Sequence, residues 1–211
     1  MQINIAALVK QLIRWIYALS PYFWLDRFFK HKESEFEPES ASWQRYRDKR
    51  LFLSEFYIVG WLVLAVLLYA ASTQVSLPLW LSILLMLRIV GILNKELGVI
   101  LFGICKITEG TAVSATGRVI VLAMVNYTTA MFLFASVYQL VGHFSDVPDY
   151  LAVWAPLIQS LQTQFTLGAP FEAADAQTWW LITSHGIFCF TFGTIVISLF
   201  VSLLNVKPLR A

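Results

Sequence analysis

The chain has 211 residues and a formal net charge of +2; 58% of it is apolar and 13% charged, against roughly 45–50% and about 25% in soluble domains. So few charges cannot clothe a water-facing surface, which excludes a soluble enzyme, a nucleic-acid binder and a disordered chain. Two cysteines and three separated histidines, His31, His143 and His185, exclude a disulfide scaffold and offer no dense metal cluster.

In chain order, residues 1–24 are apolar but interrupted by Lys10 and Arg14, four apart on one helical face, with Leu8, Leu12, Trp15, Ile16 and Leu19 on the other. That pattern predicts a helix lying flat in the membrane interface, and no small-residue site follows it to suggest a cleaved signal peptide. Residues 31–50 are the polar stretch, with Glu33, Glu35, Glu37 and Glu39 ahead of a basic cluster. We expect a solvated segment there, open to a soluble partner, so that 1–50 forms a cytoplasmic and interfacial region.

A helix needs about 20 mostly apolar residues to cross roughly 30 Å of hydrocarbon. Residues 51–72 carry only Glu55 near their start, 119–142 carry no charge, and 179–206 carry only His185 and Cys189 as titratable groups. A fourth span is expected over 77–94, which is shorter and contains Arg88. One arginine does not make a voltage sensor, which needs several at regular spacing. Glu55, at similar depth on the preceding span, is its expected partner in a structural ion pair. The first two spans and the linker that follows form a peripheral unit, 51–117.

The basic residues orient the chain. Nine lie between Lys10 and Arg50 before the first span; Lys95, Lys106 and Arg118 lie between the second and third; Lys207 and Arg210 follow the last. The loops 73–76 and 143–178 hold no Lys or Arg but four acids, Asp146, Asp149, Glu172 and Asp175. Positive residues favour the cytoplasmic side, so both termini, including the tail 206–211, are expected there, in a plasma (inner) membrane. Asn126 stands in an Asn-Tyr-Thr sequon inside a span and is not expected to be glycosylated; Cys105 and Cys189 are expected to be free thiols.

Residues 143–178 lie on the outer side, and within them 151–168 are moderately apolar but threaded with Gln159, Gln162, Thr163, Gln164 and Thr166. A full crossing would move Lys207 and Arg210 outside, and a wholly aqueous loop would leave the aromatic and aliphatic residues idle. A re-entrant element satisfies both constraints, since irregular backbone at membrane depth survives only when buried in protein or lining a water-filled cavity. Pro156 suits the start of a short helix over 154–165, whose C-terminal end would carry partial negative charge toward the membrane centre.

The order of outer helix, short helix, Thr-Leu-Gly and inner helix resembles the two-helix pore module of potassium channels. Ser160, Leu161, Thr163, Thr166, Leu167 and Gly168 match that family's Ser-Leu-x-Thr-x-x-Thr-Val/Leu-Gly run at the right spacing. The resemblance covers 118–205, and nothing comparable marks 1–117. It implies an outer helix at 118–142, a pore helix at 154–165 containing Ser160 and Thr163, a filter at 166–170 and an inner helix at 179–205. It also implies an ion filter of Thr166, Leu167, Gly168 and Ala169, and a gate hinge at Gly193 or Gly186. Where the family continues Gly-Tyr-Gly-Asp, this chain has Ala169, Pro170 and Phe171. Proline fixes φ near −65° and lacks an N–H, so the upper filter is lost and weaker potassium selectivity is implied.

The expected protomer is therefore an all-α integral membrane protein, with four transmembrane helices and one re-entrant pore helix and loop between the third and fourth. One loop encloses no ion path, so a homotetramer in membrane lipid is implied, with Glu172 and Asp175 at the outer mouth. The implied activity is passive conduction of monovalent cations, K+ with or without Na+. No catalysis, cofactor, nucleic acid or metal beyond the permeant ions is expected. The alternative is a non-conducting scaffold or regulatory subunit with a vestigial pore module, which Pro170 favours.

Overall fold

A computed structural model describes the backbone of residues 5–102 and 112–204 and the side chains of 7–98 and 120–198. Cys105, Lys106, Lys207 and Arg210, the end of the expected inner helix and the tail lie outside the described residues, as does the Arg118 side chain. Seven α-helices make up most of the described residues: α1 (Ile5–Ala18), α2 (Pro21–Ser34), α3 (Ala41–Ser72), α4 (Trp80–Phe102), α5 (Ala112–Val141), α6 (Ala155–Gln164) and α7 (Ala176–Leu204). Two short strands, β1 (Phe144–Ser145) and β2 (Glu172–Ala173), pair antiparallel between α5 and α7.

The local chemistry explains the boundaries. Pro21 occupies the first turn of α2, where its missing N–H costs nothing, and the extended Ser20 before it separates α2 from α1. The N-terminal region is thus two helices, α1 against α4 and α2 against α3. Residues 31–50 divide among the end of α2, a turn, and the first turns of α3. Ser40 caps α3 by accepting the Trp43 N–H at 3.2 Å, which carries the basic cluster at 45–50 into the helix itself.

Three helices among the described residues are long and apolar enough to cross a membrane: Ala41–Ser72, Ile120–Val141 and Ala176–Ser198. The chain is accordingly an all-α membrane protein. The expected fourth span falls in α4, whose stretch 80–94, broken only by Arg88, measures about 22 Å at helical rise before Lys95 and Glu96. That is short of the hydrocarbon thickness.

The core gathers around α5, which packs against α3, α4, α6 and α7. Ala130, Leu133, Phe134, Val137 and Tyr138 of α5 meet Ala65 of α3, Leu85, Ile89 and Ile92 of α4, and Leu181, Phe188 and Phe192 of α7. Small and hydroxylic residues on α5, including Ala123, Thr129, Ala135 and Ser136, are buried too. Such residues let helix backbones approach where lipid offers no hydrophobic contrast.

Candidate functional site

The chain between α5 and α7 makes a closed excursion. Gly142 ends α5 against the Tyr138 carbonyl oxygen, which a Cβ at this position would approach to 2.6 Å, so only glycine fits. At the neck Phe144 faces Ala173 and Ser145 faces Glu172 across the β1–β2 ladder, and the Ala174 N–H donates to the His143 carbonyl at 2.9 Å. Asp175 caps α7: its Oδ1 accepts the Thr178 N–H at 2.7 Å, and its Oδ2 lies 2.8 Å from His143 Nδ1. The Thr178 hydroxyl accepts the His143 N–H at 2.8 Å. The Thr178 N–H and hydroxyl, with His143 beside them, hold the Asp175 carboxyl below the usual carboxylate range. Asp175 is thus a clasp at the neck, whereas the Glu172 side chain is exposed beside it.

Helix α6 begins at Ala155 with Pro156 in its first turn and is wedged between α5 and α7. Its inward face is polar and fully buried: Gln159, Ser160 and Gln164 are at most 1% exposed. Each has a partner that places the helix. The Ser160 hydroxyl donates to the Met131 carbonyl at 2.7 Å, the Gln159 Oε1 accepts the Phe171 N–H at 3.3 Å, and the Gln164 Nε2 donates to the Tyr127 carbonyl at 3.0 Å. In return the Tyr127 hydroxyl donates to the Gln164 carbonyl.

The other end of Gln164 reaches α7. Its Oε1 lies 2.7 Å from His185 Nε2, and His185 Nδ1 lies 3.2 Å from the Tyr138 hydroxyl. Because Gln164 spends its amide N–H on Tyr127, its oxygen must accept, so His185 carries its proton on Nε2 and accepts from Tyr138 at Nδ1. Phe134 stacks on the imidazole with centroids 3.8 Å apart. Buried polar groups cost little only when paired in this way. The Thr163 hydroxyl and the Gln159 Nε2 are the buried atoms of α6 left without a hydrogen-bond partner.

The partners also fix how deep α6 runs. Gln164 lies beside Tyr127, which is 14 residues before Val141, the C-terminal end of α5, or about 21 Å at helical rise. His185 is nine residues into α7.

The helix then ends in a turn that consumes its last carbonyls. The Phe165 N–H donates to Leu161, Thr166 to Thr163, and Leu167 to Gln162, the pattern of a helix closed by one left-handed residue. That residue is Thr166, at φ 56°; a β-branched side chain in this region is a genuine outlier. Its hydroxyl donates to the Phe165 carbonyl at 2.7 Å. Gly168 follows at φ 108°, a torsion natural to glycine. Residues 165–170 are all exposed, Leu167 to 70%, and no described hydrogen bond ends on the carbonyls of residues 166–169.

The structure thus brings Thr166, Leu167, Gly168 and Ala169 together in one exposed turn, with Ser160 and Thr163 on the helix behind it. Glu172 and Asp175 stand at the neck. Gly186 and Gly193 lie along α7, where a Cβ would meet nothing within 4 Å. Arg88 stands on α4 and Glu55 on α3, outside the excursion between α5 and α7. The Arg88 guanidinium carbon sits 5.0 Å from the centre of the Tyr57 ring and 4.7 Å from that of Trp61. Sequence reading singled out His185 but missed Gln164, Tyr127, Tyr138 and His143 as its framework and neck. The available signal was Asp175 three residues before Thr178, a helix-capping spacing.

Among the described residues no three His, Cys, Asp or Glu side chains converge as metal ligands, and Cys189 is a buried free thiol. Comparison of the chain with family models, curated proteins and solved structures finds no match.

Proposed function

We propose that this chain is the protomer of a homotetrameric channel for monovalent cations. The observation carrying this reading is the turn at 166–169: four consecutive exposed carbonyls free of internal donors, at the end of a buried helix that stops far below the outer ends of its neighbours. A polar turn about 21 Å down α5 is re-entrant if α5 spans the bilayer, and carbonyls at that depth need either protein or a water-filled path. Four copies around an axis supply that path, and rings of carbonyls replace a cation's hydration shell.

The open face of α7 supports the same assembly. Ile187, Phe190, Thr194 and Ile197, three or four residues apart, are exposed in the protomer and would face neighbours or the axis. In this reading α4 is the fourth span, shortened at Lys95, both termini are cytoplasmic in a plasma membrane, and Gly193 lets α7 bend. With Pro170 in place of a second filter glycine, fewer carbonyl rings form and selectivity between K+ and Na+ is weak. Glu172 adds negative potential at the outer mouth.

A second reading, a non-conducting scaffold or regulatory subunit, is favoured by the closed end of α6. The carbonyls of residues 161–165 all accept internal donors, which blunts the partial negative charge that would hold an ion. Two measurements separate the readings. Purified protein in mild detergent should run as a tetramer, and a monomer ends the channel reading. Planar bilayers under opposed potassium and sodium gradients should then show cation current with a reversal potential near zero; a silent tetramer establishes the scaffold.

A further inference from the structure

The clasped arginine lies outside the pore reading and has its own chemistry. Arg88 sits between the rings of Tyr57 and Trp61, a cation–π arrangement that fixes the guanidinium plane. Its Nε is buried and has no hydrogen-bond acceptor. The group lines an enclosed cavity of about 30 Å³ with Ser20, Tyr22, Tyr57, Asn94 and Lys95, and no Asp or Glu is among its walls. Room for one or two water-sized groups, two cationic side chains and several hydroxyls describe a pocket for the oxygens of one anion. A buried guanidinium N–H without an acceptor is costly, and an anionic oxygen relieves that cost.

The walls point to where the anion comes from. The cavity lies at the junction of α1 and α2, on the side of the molecule where the basic residues gather. The same junction exposes Leu12, Trp15, Leu19 and Trp24, at 55–81%, next to Arg14 and Arg27, which are also exposed. Apolar side chains beside basic ones at a helix surface match a lipid interface, and a basic pocket between membrane helices suits an anionic headgroup. We infer that the cavity under the α1–α2 junction binds the phosphoryl group of an anionic phospholipid through Arg88 and Lys95, with the acyl chains lying against α1 and α2. This inference stands whether or not the protein conducts ions.

The test uses the full chain in mild detergent, incubated with phosphatidylglycerol, with phosphatidylcholine of the same chains, or with inorganic phosphate. Lipid phosphorus retained per protomer after gel filtration is measured, together with the thermal midpoint. Phosphatidylglycerol should be retained roughly tenfold better than phosphatidylcholine, the size expected for hydrogen bonds to a charged group, and should raise the midpoint. Arg88→Gln should reduce retention to the phosphatidylcholine level. Gly91→Leu should do the same while keeping the charge, because a Cβ at Gly91 stands 4.0 Å from Arg88 Nη1 and the larger side chain would fill the cavity. Should Arg88→Gln fail to fold, Gly91→Leu decides. Equal retention of the two lipids, or full retention of phosphatidylglycerol by folded variants, overturns the site. Inorganic phosphate that reproduces the thermal shift or displaces the lipid overturns the lipid assignment.

Discussion

Helices α3 and α5 have similar mean hydropathy, 2.2 and 1.8 over their most apolar stretches, yet 11% of that stretch is buried in α3 and 56% in α5. Hydropathy therefore does not decide which helix becomes the centre of the bundle. The difference lies in the side chains. The open face of α3 is bulky and aliphatic, with Val59, Val63, Leu64 and Leu67 exposed, as suits contact with lipid tails. The α5 helix instead carries Asn126, Thr129, Ala130 and Ser136, all at most 1% exposed, and these permit close approach and polar bonding. It also supplies Tyr127 and Met131, which seat α6, and Tyr138, which holds His185 of α7. One region presents hydrocarbon outward; the other encloses a polar framework and ends it in an exposed turn.

The sharpest way to break this contrast is Gln164→Leu. It strands the His185 Nε2–H and removes the second donor from the Tyr127 carbonyl, which keeps its bond within α5, at about 1–3 kcal/mol for the buried group left unpaired. A loss of about 2 kcal/mol is expected by denaturant titration in detergent, whereas Leu67→Ala on the exposed face of α3 should change stability by less than about 0.5 kcal/mol. A loss for Gln164→Leu no larger than that control would show that the framework does not hold α6.

Thr166→Gly sharpens the contrast from the opposite side. Glycine takes the left-handed torsion without the penalty of roughly 1–2 kcal/mol that other residues carry there, so the variant should melt higher. Under the channel reading the same change removes a hydroxyl from the filter and alters the K+/Na+ permeability ratio in bilayers. A lower melting point would show that the strain is absent.

A smaller, local effect follows from the neck. The Asp175 carboxyl is held below its ordinary range, so its folded form binds a proton less readily than its unfolded form. Its contribution is present above the unfolded value of about 3.9 and is lost as pH falls through the depressed folded value. Proteolysis of the excursion 146–171 should therefore accelerate in that acid window, and Asp175→Asn should remove the dependence. The smallest effect belongs to Gly193→Ala, where a Cβ meets nothing. Helix propensity should stabilise α7 by up to about 1 kcal/mol, and channel opening should fall only if Gly193 bends.

Much of this architecture was legible because it follows from local physics. The charge-free run at 119–142 became the core-facing part of α5, and the short helix expected over 154–165 is α6, begun by Pro156. The break at Ser20–Pro21 was written in the chain as well, but the apolar stripe running through it concealed two helices behind one. The continuation of α3 back to Ala41 was harder to foresee, because a charged segment reads as solvated whether or not it is helical.

The pairings were illegible for another reason. Gln164 and His185 are 21 residues apart and Gln164 and Tyr127 are 37 apart; composition and spacing do not specify which polar atoms meet across helices. Arg88 rests on the Tyr57 and Trp61 rings, a contact that spacing along the chain does not specify either. By itself the sequence determined that the chain enters a membrane, which of its stretches are helical, and that the segment between α5 and α7 contains a short helix. Those outcomes depend on apolar area and on torsional preference, which each segment carries with it. Tertiary structure alone decided that α5 is the hub, that Asp175 clasps the neck, and that Thr166 closes α6 in a strained turn with four free carbonyls beyond it. The first two depend on distances between atoms remote in the chain, which exist only once the helices have packed; the third is a local turn, held at its place by the seating of α6 on α5 and α7.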